Sequence, residues 1–183
     1  KYSRADCFAT ESGWVMRAGT SATGNSNASA DHEVLVAIGG LAGATDTTGL
    51  RAPTTTAMRF VVGTAAATDL TAGSGATIQV EITWDEGVTV AGSPTLAIAN
   101  GNQGTGSGRG PYTLVYTATG STANRKRFIL ASQTIVADDV LTIGGANIAL
   151  AGGTISDTVV GGTTLAASLV LSGLTAVTHT VLA

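Results

Sequence analysis

"ATIQVEITWDEGVTVAGSPTLAIANGN" occupies residues 76–102. In its first nine residues Ile78, Val80, Ile82 and Trp84 alternate with Gln79, Glu81 and Thr83. Successive side chains of a strand point to opposite faces, so this period of two predicts a half-buried β-strand with one apolar face. Asp85-Glu86-Gly87 breaks the pattern, "GVTV" resumes it, Ser93-Pro94 interrupts it again, and "PTLAIA" ends at Asn100-Gly101. Three strands separated by turns account for the whole stretch. Adjacent carboxylates at a strand end diverge, so Asp85 and Glu86 would not face each other across a bond as a glycosidase pair must. The expectation for them is a turn carrying solvated charges, and Asp138-Asp139 receive the same reading.

The pattern continues outward on both sides. Met58 to Val62 precedes it as one strand. "YTLVYTA" (112–118), "RFILA" (127–131), "DVLTI" (139–143), "NIAL" (147–150), "TTLAASLVL" (163–171) and "TAVTHTVLA" (175–183) follow it. Turn signals recur at the spacing of a sandwich or barrel, and no segment carries a sustained helical period with caps. "LAASLVL" is apolar enough to suggest a helix. Its flanking Thr residues and the Ser172-Gly173 turn favour a hairpin with the terminal strand.

Upstream, "CFATESGWVMRAG" and "HEVLVAIGGL" flank the polar loop "TSATGNSNASAD". They predict an N-terminal β-arm over 1–45, too small to own a core. A polar segment punctuated by Gly49 and Pro53 forms a linker at 46–56, and the sandwich occupies 57–183.

Composition narrows the chemistry. Of 183 residues 11% are charged, against about 25% in a typical soluble domain. A net charge of −3 with nine basic residues argues against binding nucleic acid by phosphate neutralisation. The one basic run, Arg125-Lys126-Arg127, is expected to be a solvated strand start, with a contact to an acidic partner as the sharper alternative. One cysteine, Cys7, forms no intrachain disulfide or cysteine zinc cluster and is expected to act as a small buried hydrophobe. No signal-peptide pattern and no apolar run of transmembrane length is present. His32 and His179 lack neighbouring ligands, so no metal is expected. A calcium site at Asp85, Glu86, Asp138 or Asp139 would lack the usual D-x-D spacing. His179 alternates with Val177 and Val181 and is expected to share their face. No G-x-S-x-G elbow accompanies the histidines. "GTGSGRG" (104–110) has no helix after it, so it is a loop rather than a phosphate cradle.

Residues 78–157 resemble the bacterial immunoglobulin-like repeat of large surface adhesins. That family's pattern is matched by Val88, Val90, Gly92, Pro94, Leu96, Ile98, Asn100 and Gly101. Tyr116, Gly120, Ile148, Leu150, Gly152, Gly153, Ile155 and Asp157 match it further on. The insert at 102–110 and the single copy of the repeat depart from it. The opening "SRADCFATESGWVMRAGT…HEVLVAIGGL" is similar to structural proteins of tailed-phage virions. Together the resemblances imply an all-β chain: an immunoglobulin-like β-sandwich with a small N-terminal β-hairpin or arm.

The implied function is that of a bacteriophage virion structural protein, a capsid decoration (cement) protein. It would bind the major capsid protein on the outer capsid surface and stabilise the shell, with no enzymatic activity, cofactor, nucleic-acid or membrane partner. Self-association, as a trimer, is implied by analogy. The alternative is a host- or glycan-binding immunoglobulin-like module of a tail fibre or surface adhesin. Phe8, Trp14, Met16, Arg109 and Tyr112 are the expected partner-binding residues, because interface hot spots favour large aromatics and arginine. For Phe8, Trp14 and Met16, packing against the chain's own sandwich is an equal alternative.

Overall fold

A computed structural model describes residues 4–20, 24–27, 32–41, 52–62, 65–66, 70–101, 111–158 and 164–183. Those residues are all-β: a single 3-10 turn, Arg4–Asp6, precedes fifteen strands. In chain order they are β1 (Cys7–Thr10), β2 (Gly13–Arg17), β3 (His32–Ala37), β4 (Thr55–Val62), β5 (Ala65–Ala66), β6 (Leu70–Thr71), β7 (Gly73–Trp84) and β8 (Val88–Ala91). There follow β9 (Thr95–Gly101), β10 (Tyr112–Thr117), β11 (Arg125–Ile135), β12 (Val140–Ile143), β13 (Ile148–Ala149), β14 (Thr154–Asp157) and β15 (Val177–Leu182).

The main sheet runs β5-β4-β7-β11-β10-β9-β12-β15-β6, with β13 branching from β9, and β8 pairs with β14 apart from it. Its neighbours are antiparallel except for the parallel contact of β15 with β6. The sheet curls until its two halves face each other across one core, which gives a β-sandwich. Met58 and Phe60 of β4, Ile78, Val80, Ile82 and Trp84 of β7 and Phe128 of β11 meet Leu96, Ile98, Leu141, Ile143 and Val181 from the other half. The predicted apolar face of β7 is the core face throughout. Burying a Leu, Ile, Val or Phe side chain is worth about 1.5–3 kcal/mol, so this aliphatic cluster is a main source of stability despite the scarcity of aromatics. His179 shares the face of Val177 and Val181 as expected, and its ring lies 5.9 Å from that of Phe60 across the sandwich.

Two glycines of the adhesin-like pattern have a packing reason. Gly92 has φ +75°, and a Cβ there would lie 2.8 Å from the Gly153 Cα. A Cβ on Gly153 would lie 2.3 Å from the Ala91 carbonyl oxygen. The ends of β8 and β14 therefore meet backbone to backbone, which only Gly permits.

"TTLAASLVL" does not form a hairpin with the terminal strand, because β15 pairs with β12 and β6 instead. The described residues 164–171 run as an extended strap whose backbone groups bond to several elements in turn. The Asp157 amide donates to the Leu165 carbonyl, Ala167 N to Ile155 O, Ser168 N to Pro53 O, and Ile148 N to Leu169 O. Leu171 N donates to Asn147 Oδ1. The strap also accepts the Trp84 indole N–H at the Ser168 carbonyl, 3.0 Å away, which satisfies the one polar atom of a wholly buried ring.

The N-terminal residues form a separate three-stranded antiparallel sheet, β1-β2-β3. β1 and β2 are joined by the tight turn at Glu11-Ser12, and Gly13 then takes φ +120° where β3 passes closely.

Candidate functional site

The polar face of β7 carries Gln79, Glu81 and Thr83. Glu81 and Thr83 are each only 3% exposed, because the N-terminal arm lies over them. The covering begins at the 3-10 turn. Asp6 Oδ1 accepts from Arg125 Nη2 at 2.6 Å, and the Ala5 carbonyl accepts from the same nitrogen at 2.7 Å. Further along, the Ala9 amide donates to the Asp85 carbonyl at 2.8 Å, and Ala9 forms a parallel bridge with Glu86.

Beneath the arm, Glu81 is the hub of a charge network. Its Oε1 lies 2.8 Å from Arg59 Nη2 and 3.3 Å from Arg125 Nη1, and its Oε2 lies 3.5 Å from Arg127 Nε. The run Arg125-Lys126-Arg127 is therefore not a solvated strand start: all three residues are buried. The two guanidiniums are held by Glu81 and Asp6. Lys126 Nζ donates to the Thr122 carbonyl at 2.7 Å, and burial lowers its pKa to about 8.

The adjacent carboxylates Asp85 and Glu86 play two different roles. Asp85 accepts the Thr54 amide at 2.7 Å and the Thr54 hydroxyl, pinning the segment ahead of β4. Glu86 is 1% exposed, so the expectation of a solvated charge is wrong for it. Its Oε1 has no hydrogen-bond partner. Burial first, then the negative charges of Asp85 and Asp157, push its pKa up to about 8. The cause of its burial is β1, laid across the turn. Asp139 is also fully buried, with Asn100 Nδ2 3.3 Å from its carboxylate, while Asp138 turns outward at φ +67°. Among the described residues, no group of three or more His, Cys, Asp or Glu side chains is placed to hold a metal ion.

The predicted partner-binding residues are scattered. Phe8 and Met16 are buried within this chain, and Trp14 is half-buried against Ala9 and Leu41. Tyr112 is half-buried on β10, with its hydroxyl 3.3 Å from the Thr134 carbonyl. Arg109 lies outside the described residues. Cys7 is half-buried, and burial together with Asp6 raises its thiol pKa.

The densest run of exposed apolar side chains among the described residues lies on β3 and the residue after it. That strand pairs with β2 on one side, and among the described residues no strand covers its other edge. Every residue of β3 is exposed. Val34, Leu35, Val36 and the following Ile38 are 41–53% exposed and make up four of the eight large exposed hydrophobics described. An apolar run of this kind normally marks a buried strand. Here it marks an open edge, the feature that soluble proteins usually protect with charge or cover. Between the arm and the sandwich, where β3 begins, lies a cleft of about 520 Å³ lined by Phe8, Arg17, His32 and the turn Thr122-Ala123-Asn124. No protein-family model, no curated protein and no solved structure matches this chain.

Proposed function

We propose that this chain is a non-enzymatic virion structural protein, a capsid decoration protein that docks on the major capsid protein through its N-terminal arm. The observation that carries the reading is β3, an apolar, exposed strand whose outer edge no strand pairs among the described residues. Strand addition to such an edge recruits main-chain hydrogen bonds for affinity and alternate side chains for specificity. The reading draws further support from the resemblance of the opening segment to tailed-phage structural proteins. The likeness of residues 78–157 to the adhesin immunoglobulin-like repeat supports an outward-standing sandwich of that type. Many weakly bound copies on a closed lattice stabilise it by multivalency without strong single contacts.

The test is co-sedimentation of the full chain with purified capsids of the encoding phage, against Val34→Lys and Val36→Lys. Both positions are exposed, so the folded state changes by within about 0.5 kcal/mol. The expected result is binding by the unaltered chain and its loss in both variants. Absence of binding by the unaltered chain, or full binding by both variants, refutes the proposal.

A further inference from the structure

The cleft between arm and sandwich contains a cation, Arg17, that is in ion-pair contact with no carboxylate among the described residues. Arg17 and His32 are cross-strand partners at the open end of the β2–β3 pair, so both side chains leave the same face of the arm. The His32 ring stands edge-on to Phe8 with centroids 6.1 Å apart. Arg17 makes no ion pair and no side-chain hydrogen bond among the described residues, although it lies near the charge network beneath the arm. That network holds Arg59, Arg125 and Arg127 on the carboxylates of Glu81 and Asp6. With Arg17 included, four guanidiniums face two carboxylates. Burial and then the Arg125 guanidinium press the Arg17 pKa below its ordinary value, and the more distant carboxylates of Glu81 and Asp6 offset this only in part. A second pocket of about 310 Å³, sharing Phe8, His32 and Ala123 with the cleft, adjoins it and is walled largely by apolar surface of β1.

We infer that this cleft is a receptor for a carboxylate side chain carried on an extended segment of a protein partner. The positive charge is local, in a chain of net charge −3, so a single carboxylate is attracted where an extended polyanion is repelled. The cleft starts at His32, the first residue of the open strand. A segment added along β3 therefore runs past it, and residues two apart on that segment point the same way. An acidic residue would meet Arg17, with the planar guanidinium accepting the carboxylate in bidentate fashion. An apolar residue two positions away would fill the pocket beside Phe8.

The identity of the partner rests on the docking reading above; the carboxylate site does not. The test uses the full chain and two peptides, Ac-Thr-Val-Glu-Thr-Leu-Thr-amide and its Gln counterpart, titrated by NMR. The expected result is saturable shifts at the Arg17 side-chain N–H and at the Val34, Val36 and Ala123 amides. The Glu peptide should bind at least tenfold more tightly than the Gln peptide, with the difference lost in Arg17→Gln. Equal affinity of the two peptides for the unaltered chain, or no saturable shift with either, overturns the inference without touching the capsid reading. Peptide binding in a chain that fails to co-sediment with capsids would remove the capsid partner and keep the cleft.

Discussion

Replacing Glu81 by Gln removes one negative charge from a site where three guanidiniums converge. The carboxylate is buried, 2.8 Å from Arg59, 3.3 Å from Arg125 and 3.5 Å from Arg127. Exposed ion pairs contribute about 0–1 kcal/mol, whereas removing one partner of a buried pair costs about 3–5 kcal/mol because the remaining charge stays desolvated. Asp6 continues to hold Arg125, and the Gln oxygen still accepts one hydrogen bond, so E81Q falls near the lower figure, about 3 kcal/mol. Glu81→Ala, which leaves no acceptor, falls nearer about 5 kcal/mol. For a chain of this size each kcal/mol shifts Tm by about 2–4 °C, so E81Q should melt about 6–12 °C below the unaltered protein. The assay is urea unfolding at constant pH with tryptophan fluorescence, paired with a calorimetric scan. A loss under about 1 kcal/mol in both variants would place the network among solvated surface pairs and refute the arm as its cover.

The pH dependence has a defined sign. Glu86 holds a proton in the folded chain up to about pH 8, while its ordinary value is 4.5, so folding takes up a proton between those limits. Stability is then full below about pH 4.5 and declines as pH rises toward 8, and E86Q removes that decline. The free energy of urea unfolding for E86Q should match the unaltered chain at pH 5 and exceed it at pH 8 by on the order of 3–4 kcal/mol. Lys126, lowered to about 8, acts in the opposite direction above that pH, so the comparison belongs between pH 5 and 8. Gly92→Ala sets a Cβ against the Gly153 backbone at a positive φ and should lose about 1–3 kcal/mol by thermal unfolding, while Gly145→Ala, which meets open space, should lose far less.

The inner half of the fold was legible because it follows alternation. Ile78, Val80, Ile82 and Trp84 face the core as their period of two requires. The outer half was not, because alternation separates two faces without saying what covers the second. Arg125 was expected to be solvated, and the arm, distant in sequence, helps bury it together with Glu81. Glu86 was misread for the same reason. The strap at 164–171 misled in another way. Its apolar residues are strand-like, but its backbone bonds are spread over β14, β13 and the segment ahead of β4, a distribution that no local pattern encodes. At β3 the apolar run is correct for a strand and silent on exposure. A half-buried Arg17 opposite His32 could have been found only by pairing the two strands, which the polar loop between them leaves without a register.

The bond between Asp6 and Arg125 spans 119 residues. During synthesis the arm emerges first and has no charge partner until Arg125 follows. At about 5–20 residues per second the wait is on the order of 6–24 s. Throughout that interval the apolar β3 segment is present with no sandwich beneath it. Docking of the arm onto Arg125 must therefore wait until that residue has emerged, and slow translation of the region before Arg125 would lengthen the period in which neighbouring nascent chains can pair through β3.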